Sequence, residues 1–427
     1  MDSPYSSRDL SALPSLNEAA SLLHEMARDQ VVRVSRPVDK PLVLYGAGSL
    51  GRMAREYLNH VGIPVHLVVD MNARQLSQDA YWAGIPLLRP DEITPDQQQG
   101  TLLALCIVTA PYAPMANELA SAGWKDIVPF YDIAEHYRDR HPLSNGWFAA
   151  PFSKQDEGAI ASALECWSDD VSRAHHLQFL AWRRLRQEWS FPDARIDTSN
   201  RFFIPEMLAA LGQNERFLDA GSYVGQVIET FLLHTEKQFE HIWAIEPDAG
   251  SRAKLQSLLS DMEETRRQEI EILPWAITET EGERPFFSDQ GYASQCSDLG
   301  GELVPCRAID TLNLAPTFIK LHLEGMELPA LRGAIRTLRQ HRPLLTATIY
   351  HNDDGLWRTP LWLQNNLPGY ALLFRLHSWC GTGATIYALP EERWPASMEA
   401  TETGLTLAGD PDPCMIAAIL RGHDELP

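Results

Sequence analysis

Twice along this chain a short apolar run breaks into a glycine-rich turn and then into helical spacing: PLVLYGAGSLG at 41–51 and FLDAGSYVG at 217–225. Such a turn places backbone N–H groups at a helix N-terminus, on the carboxyl edge of a parallel sheet, where open α/β folds bind ligands. Apolar runs at 64–69, 101–109 and 126–131 accompany the first turn, with a helix expected at 115–122. Runs at 217–219, 242–245, 270–276, 318–323, 344–350, 371–376 and 384–389 accompany the second. Strands alternating with helices predict doubly wound parallel sheets. A short glycine-containing turn between the last two runs predicts an antiparallel hairpin.

The expected fold class is therefore α/β. Five alternating strands and a hairpin are the pattern of a class I methyltransferase seven-stranded sheet, preceded by a smaller N-terminal Rossmann-like α/β domain and joined to it by helices. The expected division is 1–135 for the Rossmann-like domain, 136–205 for a helical linker, 206–390 for the methyltransferase-type domain and 391–427 for a tail. Residues 1–40 read as a lead-in with a helix at 16–26. An apolar run at 415–420 has no assigned place.

At the second turn, Asp219 stands at a strand tip, where it can accept hydrogen bonds from an ammonium group. Gly221 and Gly225 let the backbone approach a ligand, and Ser222 suits an N-cap. Glu246 ends the next strand, where a carboxylate grips a ribose diol. Tyr223 stands where a dinucleotide motif wants glycine, which favours S-adenosylmethionine, a cofactor without a pyrophosphate. Trp275 and Ala276 end the third strand, against the expected adenine face. Lys320, His322 and Glu324 alternate with apolar residues near the tip of the fourth, which places a polar cavity there. His351 ends the fifth. An imidazole takes a hydroxyl proton near neutral pH, so His322 and His351 are the candidate bases, with His322 favoured. Loops at about 284–306 and 351–366 are expected to line the acceptor pocket.

The first turn is a full G-x-G-x-x-G, formed by Gly46, Gly48 and Gly51, and Asp70 closes the next strand. That context suits a dinucleotide or sugar nucleotide. No catalytic Tyr-x-x-x-Lys or Cys/His pair follows it. A NAD-linked or nucleotide-sugar-binding protein with a non-catalytic methyltransferase-like domain is the alternative reading.

Charge bears on partners. With 36 Lys and Arg against 57 Asp and Glu, the formal net charge is −21. Such a surface repels phosphate backbones and anionic lipid, so neither nucleic acid nor a membrane is expected. The six cysteines are scattered and form no C-x-x-C or zinc-finger spacing. The N-terminus has no basic region followed by an apolar core. A cytoplasmic protein is expected, with a homo-oligomer open.

The segments DAGSYVGQ, AIEPD, LPWAI, RAIDTL, FIKLHLEGMELPALRGA, IYHNDDGLW and YALLFRLHS together resemble the FkbM-type S-adenosylmethionine-dependent methyltransferases over roughly 160–390. SDDVSR and RFFIP are similar to the helical lead-in of longer members. The resemblance implies S-adenosylmethionine as cofactor and methyl transfer to a hydroxyl of a small-molecule or glycan acceptor, on a sugar, a glycosylated product or a polyketide. It matches Asp219, Gly221 and Gly225 to the cofactor loop, Glu246 to the ribose carboxylate, and Lys320, Glu324 and Glu327 to the fourth-strand block. Family members usually carry Asp where this chain has His322. That leaves one fewer carboxylate for a divalent ion, and no metal is expected.

Overall fold

The computed structural model describes residues 5–143, 146–260, 262–394, 398–401 and 404–407. The apolar run at 415–420 lies outside the described residues. Strands β1 (Leu42–Tyr45), β2 (Val65–Val69), β3 (Leu87–Leu88), β4 (Leu102–Leu105) and β5 (Ile127–Pro129) form an all-parallel, Rossmann-like sheet in the order β3-β2-β1-β4-β5. Strands β6 (Arg216–Ala220), β7 (His241–Ile245), β8 (Ile270–Leu273), β9 (Phe318–Leu321), β10 (Leu344–Thr348), β11 (Tyr370–Leu376) and β12 (Ala384–Pro390) form a seven-stranded sheet. Its order is β8-β7-β6-β9-β10-β12-β11, with β12 antiparallel to both neighbours and the other pairings parallel.

Burial on both faces explains the strand sequences. LLAL in β4, LLTAT in β10 and ATIYALP in β12 are buried at every position, as central strands covered on both faces require. Under the second sheet the rings of Phe217 and Phe318 stack at 4.7 Å, and Phe231 closes on Phe217 at 4.6 Å. Several expected strands end early: 101–109 closes at Leu105, 126–131 at Pro129, 318–323 at Leu321 and 344–350 at Thr348. The run at 270–276 divides into Ile270–Leu273 and a separate short strand, Ala276–Ile277. That strand joins Gly282–Phe287, Gln295–Cys296 and Glu302–Arg307 in a four-stranded side sheet. Periodicity did not signal this sheet, because its strands are short and half-exposed.

The helices read as a linker are packed on both sides. Helix Lys154–Cys166, opened by a Ser153–Asp156 capping box, lies between helices Leu16–Ala27 and Gly355–Asn366. Helix Asp170–Leu185 packs on β11. The lead-in joins this layer, not the first sheet: Ser6–Asp9 pairs in parallel with Gln187–Ser190. Among the described residues no helix is long and apolar enough to cross a membrane.

One buried cation fastens the layer to the second sheet. Arg375, on β11, reaches Asp169 Oδ2 at 2.7 Å and Glu206 Oε1 at 2.8 Å. Asp169 also caps its helix through Ser172 N at 2.7 Å. Burial alone would raise the Asp169 carboxyl, but the Arg375 guanidinium more than offsets this and holds it below its ordinary value. The group's stabilisation is thus present above pH about 4 and lost on acidification. Asp169→Asn should cost about 3 kcal/mol at pH 7, the low end for breaking a buried pair, because Glu206 remains. Urea unfolding checks this, and the gap between variant and wild type should narrow below pH 4.

Candidate active site

Strand β6 runs into the loop at 221–225 and then helix Gln226–His234. Gly221 has φ +77°, and a Cβ there would lie 2.0 Å from the His322 carbonyl oxygen. Only glycine lets the loop cross so close to the neighbouring strand. Ser222 Oγ donates to the Asp219 carbonyl at 2.7 Å, tightening the turn. Glu246 Oε2 accepts from Tyr223 N at 2.7 Å and Oε1 from Asp248 N at 2.9 Å. Burial pushes the Glu246 carboxyl up to about 7, against the pull of those two N–H bonds. Asp248 in turn accepts from Ser251 N and from Asp289 N, which ties the side-sheet segment to the loop.

These elements border a cavity of about 410 Å³, the size of a small-ligand site. Gly221, Ser222, Glu246, Trp275, Ala276, Lys320, His322 and Glu324 all line it. Three expected residues do not. Asp219 is fully buried behind the wall, with Lys320 Nζ 2.9 Å from its Oδ1. Gly225 has φ +97° and opens the helix, packed under Leu255 and Leu258. His351 lies behind Glu324. Lys320 was expected to be catalytic, yet its ammonium donates to the Gly221 carbonyl at 2.7 Å and pairs with Asp219, so it holds the loop.

The alternation that placed Lys320, His322 and Glu324 on one face stops at Leu321, where β9 ends. Glu324 reaches the cavity by another route. It adopts φ +50° and Gly325 φ +104°, a sharp turn closed by Glu327, which accepts from Leu323 N and Gly325 N, each at 2.9 Å. A non-glycine residue in that region is strained and sits typically at a functional site. Glu324 Oε1 then lies 3.2 Å from His322 Nε2 and 3.3 Å from His351 Nε2. Tyr350 Oη lies 3.3 Å from His322 Nε2 and accepts from Arg201 Nη1 at 3.3 Å. Burial, with His351, Lys320 and Arg201 nearby, keeps the His322 imidazole neutral, well below its ordinary pKa. Burial raises the Glu324 carboxyl. No metal was expected from the sequence, yet donor atoms of His322, Glu324 and His351 all lie within 4.8 Å of one another.

Sequence reasoning missed Tyr350, Arg201 and Tyr292, which all line the cavity. Tyr292 falls in the loop expected to do so. The other loop, 351–366, does not: from Gly355 it is a helix that packs on Lys154–Cys166. Ser49, Leu50 and Val108 also line the cavity from the first sheet, and Tyr131 does so from the helix after β5. The N-terminal glycine turn thus faces the same space. Gly46 has φ +102°, and a Cβ on Gly51 would lie 2.1 Å from the Gly46 carbonyl oxygen, whereas one on Gly48 meets nothing. Asp70 Oδ2 accepts from Ala47 N at 2.8 Å, so its carboxylate holds the turn.

Residues 219–365 match the family model of the methyltransferase FkbM domain. In fold, the chain is similar to the methyltransferase FkbM from Methylobacillus flagellatus KT, at TM-score 0.59 and 20% identity, covering 87% of this chain and 99% of that one. That likeness spans both sheets. A precorrin-6y C5,15-methyltransferase from Geobacter metallireducens GS-15 aligns at TM-score 0.27 and 12% identity, over 42% of this chain and 82% of its own, too weak to build on. No curated protein matches the chain significantly.

Glu246 generates a pH test. If Glu246 grips a ribose diol, the diol donates to the ionised carboxylate, a group that burial pushes up to about 7. Affinity for S-adenosylhomocysteine should therefore rise between pH 6 and pH 8, approaching tenfold per unit on the acid side. Glu246→Gln should weaken binding roughly ten- to hundredfold and flatten the slope. Calorimetry across that range decides it; a pH-independent wild type would refute the role.

Proposed function

We propose that this chain is an S-adenosylmethionine-dependent O-methyltransferase acting on a hydroxyl of a small-molecule, glycan or polyketide-type acceptor. The observation that carries this is a single cavity, in a domain matching the methyltransferase FkbM family, with a glycine loop and buried carboxylate at one end and an imidazole–carboxylate cluster at the other. The cofactor fits the first end. Gly221 and Ser222 border the cavity at the glycine loop, and Glu246, buried against the cavity wall, offers an acceptor for a diol. When bound, the cofactor supplies a sulfonium methyl, whose C–S bond breaks towards sulfur as the acceptor oxygen bonds to carbon.

The protein's part is positioning and proton removal. The acceptor hydroxyl is held at the His322, Glu324 and Tyr350 end, and its proton leaves to that cluster. Arg201 orients Tyr350 there. The first sheet closes the cavity with Ser49, Leu50 and Val108, which suits a compact acceptor and works against long polymers. Because Asp70, unlike Glu246, does not border the cavity, we read the first glycine turn as a wall of this cavity in place of a separate nucleotide site.

Calorimetry with S-adenosylhomocysteine, alongside transfer of an isotopically labelled methyl group to a panel of hydroxylated acceptors, tests the reading. No binding and no transfer would overturn it. His322→Ala should lower the rate on an identified acceptor by about 10²–10⁴-fold with cofactor affinity unchanged. A wild-type rate in that variant would remove His322 from the chemistry.

A further inference from the structure

We propose that His322, Glu324 and His351 bind one divalent first-row transition-metal ion beside the acceptor hydroxyl. The ion's catalytic role rests on the methyl-transfer reading above; its existence does not. Glu324 Oε1 sits 3.2 Å from His322 Nε2 and 3.3 Å from His351 Nε2, and the three donors span no more than 4.8 Å. Ligands bound to one ion at ~2.0–2.2 Å lie ~3–3.5 Å apart, so these spacings need little adjustment.

The orphaned polar atoms point the same way. Glu327 accepts from Leu323 N, Gly325 N and Thr348 Oγ1, and His351 Nδ1 lies 3.1 Å from its Oε1. The other ring nitrogen of His351 is Nε2. That atom is buried, has no hydrogen-bond partner, and faces Glu324 Oε1. A buried imidazole nitrogen without a hydrogen-bond partner, 3.3 Å from a carboxylate oxygen, is a position a metal ion can fill. His322 Nε2 turns towards the same oxygen, and one metal ion can bind all three atoms.

The surroundings fit as well. Glu327 orients His351 from behind, the carboxylate–histidine–metal arrangement that fixes a ligand's tautomer. The two carboxylates, Glu324 and Glu327, match a dipositive charge. The neighbouring cations have other partners, Lys320 with Asp219 and Arg201 with Tyr350. Two imidazoles and a carboxylate favour zinc, iron(II), manganese or cobalt over magnesium or calcium. His322 and Glu324 border the cavity, so the acceptor oxygen can complete the coordination. The ion would lower the hydroxyl pKa; with His322 Nε2 on the ion, the O–H proton would leave to water in place of the imidazole, His322 would serve the rate as a ligand, and the oxygen pair would attack the methyl carbon.

The full chain, stripped with chelator and dialysed, is titrated with Co(II) by visible absorption and with Zn(II) by calorimetry, and S-adenosylhomocysteine binding is measured on the same sample. We expect one equivalent of each ion, a cobalt ligand-field spectrum, and zinc retention in excess Mg²⁺. Glu324→Gln and His351→Gln should each abolish binding, and Glu327→Gln should weaken it roughly 10–100-fold, with circular dichroism unchanged. If wild type binds the homocysteine product and neither ion, the metal site is overturned and the methyl-transfer reading stands. If it binds one ion and not the product, the site stands and that reading falls. Saturable ion binding unchanged in both Glu324→Gln and His351→Gln overturns the assigned ligands.

Discussion

The site depends on one buried ion pair at the centre of the second sheet. Lys320 and Asp219 are direct neighbours in the pairing of β9 with β6. Both are essentially inaccessible, and Lys320 Nζ stands 2.9 Å from Asp219 Oδ1 and 2.7 Å from the Gly221 carbonyl. Burying two charges is costly, and beyond this ion pair neither Asp219 oxygen has a hydrogen-bond partner. The third contact of the pair is the glycine loop, through the Gly221 carbonyl. The pair therefore fixes where Gly221 crosses the His322 carbonyl, and one contact sets both the glycine loop and the start of the acceptor cluster. A hydrophobic pair at these positions would keep the strands together and leave the loop without its anchor.

The acceptor end is braced from the other side of the sheet. Arg183, on helix Asp170–Leu185, is buried and donates to the carbonyls of Gly146 and Gly381 at 2.8 and 3.1 Å, and to that of Tyr350. Tyr350 and His351 leave β10 at that point. The helical layer thus holds the imidazole-bearing loop in place. Pre-organisation of this kind is what transfer chemistry needs, because a small misplacement of the reacting groups costs rate steeply.

Much of this was legible in the sequence, for physical reasons. Buried parallel strands have to be apolar, so β6, β7, β9 and β10 announced themselves. A carboxylate at the tip of β7 marked Glu246, and imidazoles at the tips of β9 and β10 marked His322 and His351. The reading failed where the side chain's direction depends on a partner that pattern does not reveal. Lys320 turns inward because Asp219 is its register neighbour. Glu324 arrives through a left-handed turn that Glu327 closes, not through strand alternation. The side sheet at 276–307 went unseen because its two longer strands put several residues in solvent. Convergence of three donors on one point was invisible, since His351 stands 27 residues beyond Glu324 in the chain and reaches it only through the pairing of β9 with β10.

The two glycine turns have different fates for the same geometric reason. Each ends the first strand of a parallel sheet, and ligands gather at such carboxyl edges. Both edges open on one cavity, so space for a ligand is shared. Both carboxylates accept backbone N–H bonds, Glu246 from Tyr223 N and Asp248 N and Asp70 from Ala47 N, but only Glu246 borders the cavity. The first turn commits Gly46 and Gly51 to a close crossing that leaves no room for a Cβ on Gly51. What the first turn offers the cavity is Ser49 and Leu50, at a helix start with no side-chain cap bond. A Rossmann-like fold whose second-strand carboxylate stands off the cavity, and whose open face is covered by another domain, serves as a wall. Gly46 and Gly51 are required by the turn itself, whether or not a phosphate ever binds there, and Gly48 is not.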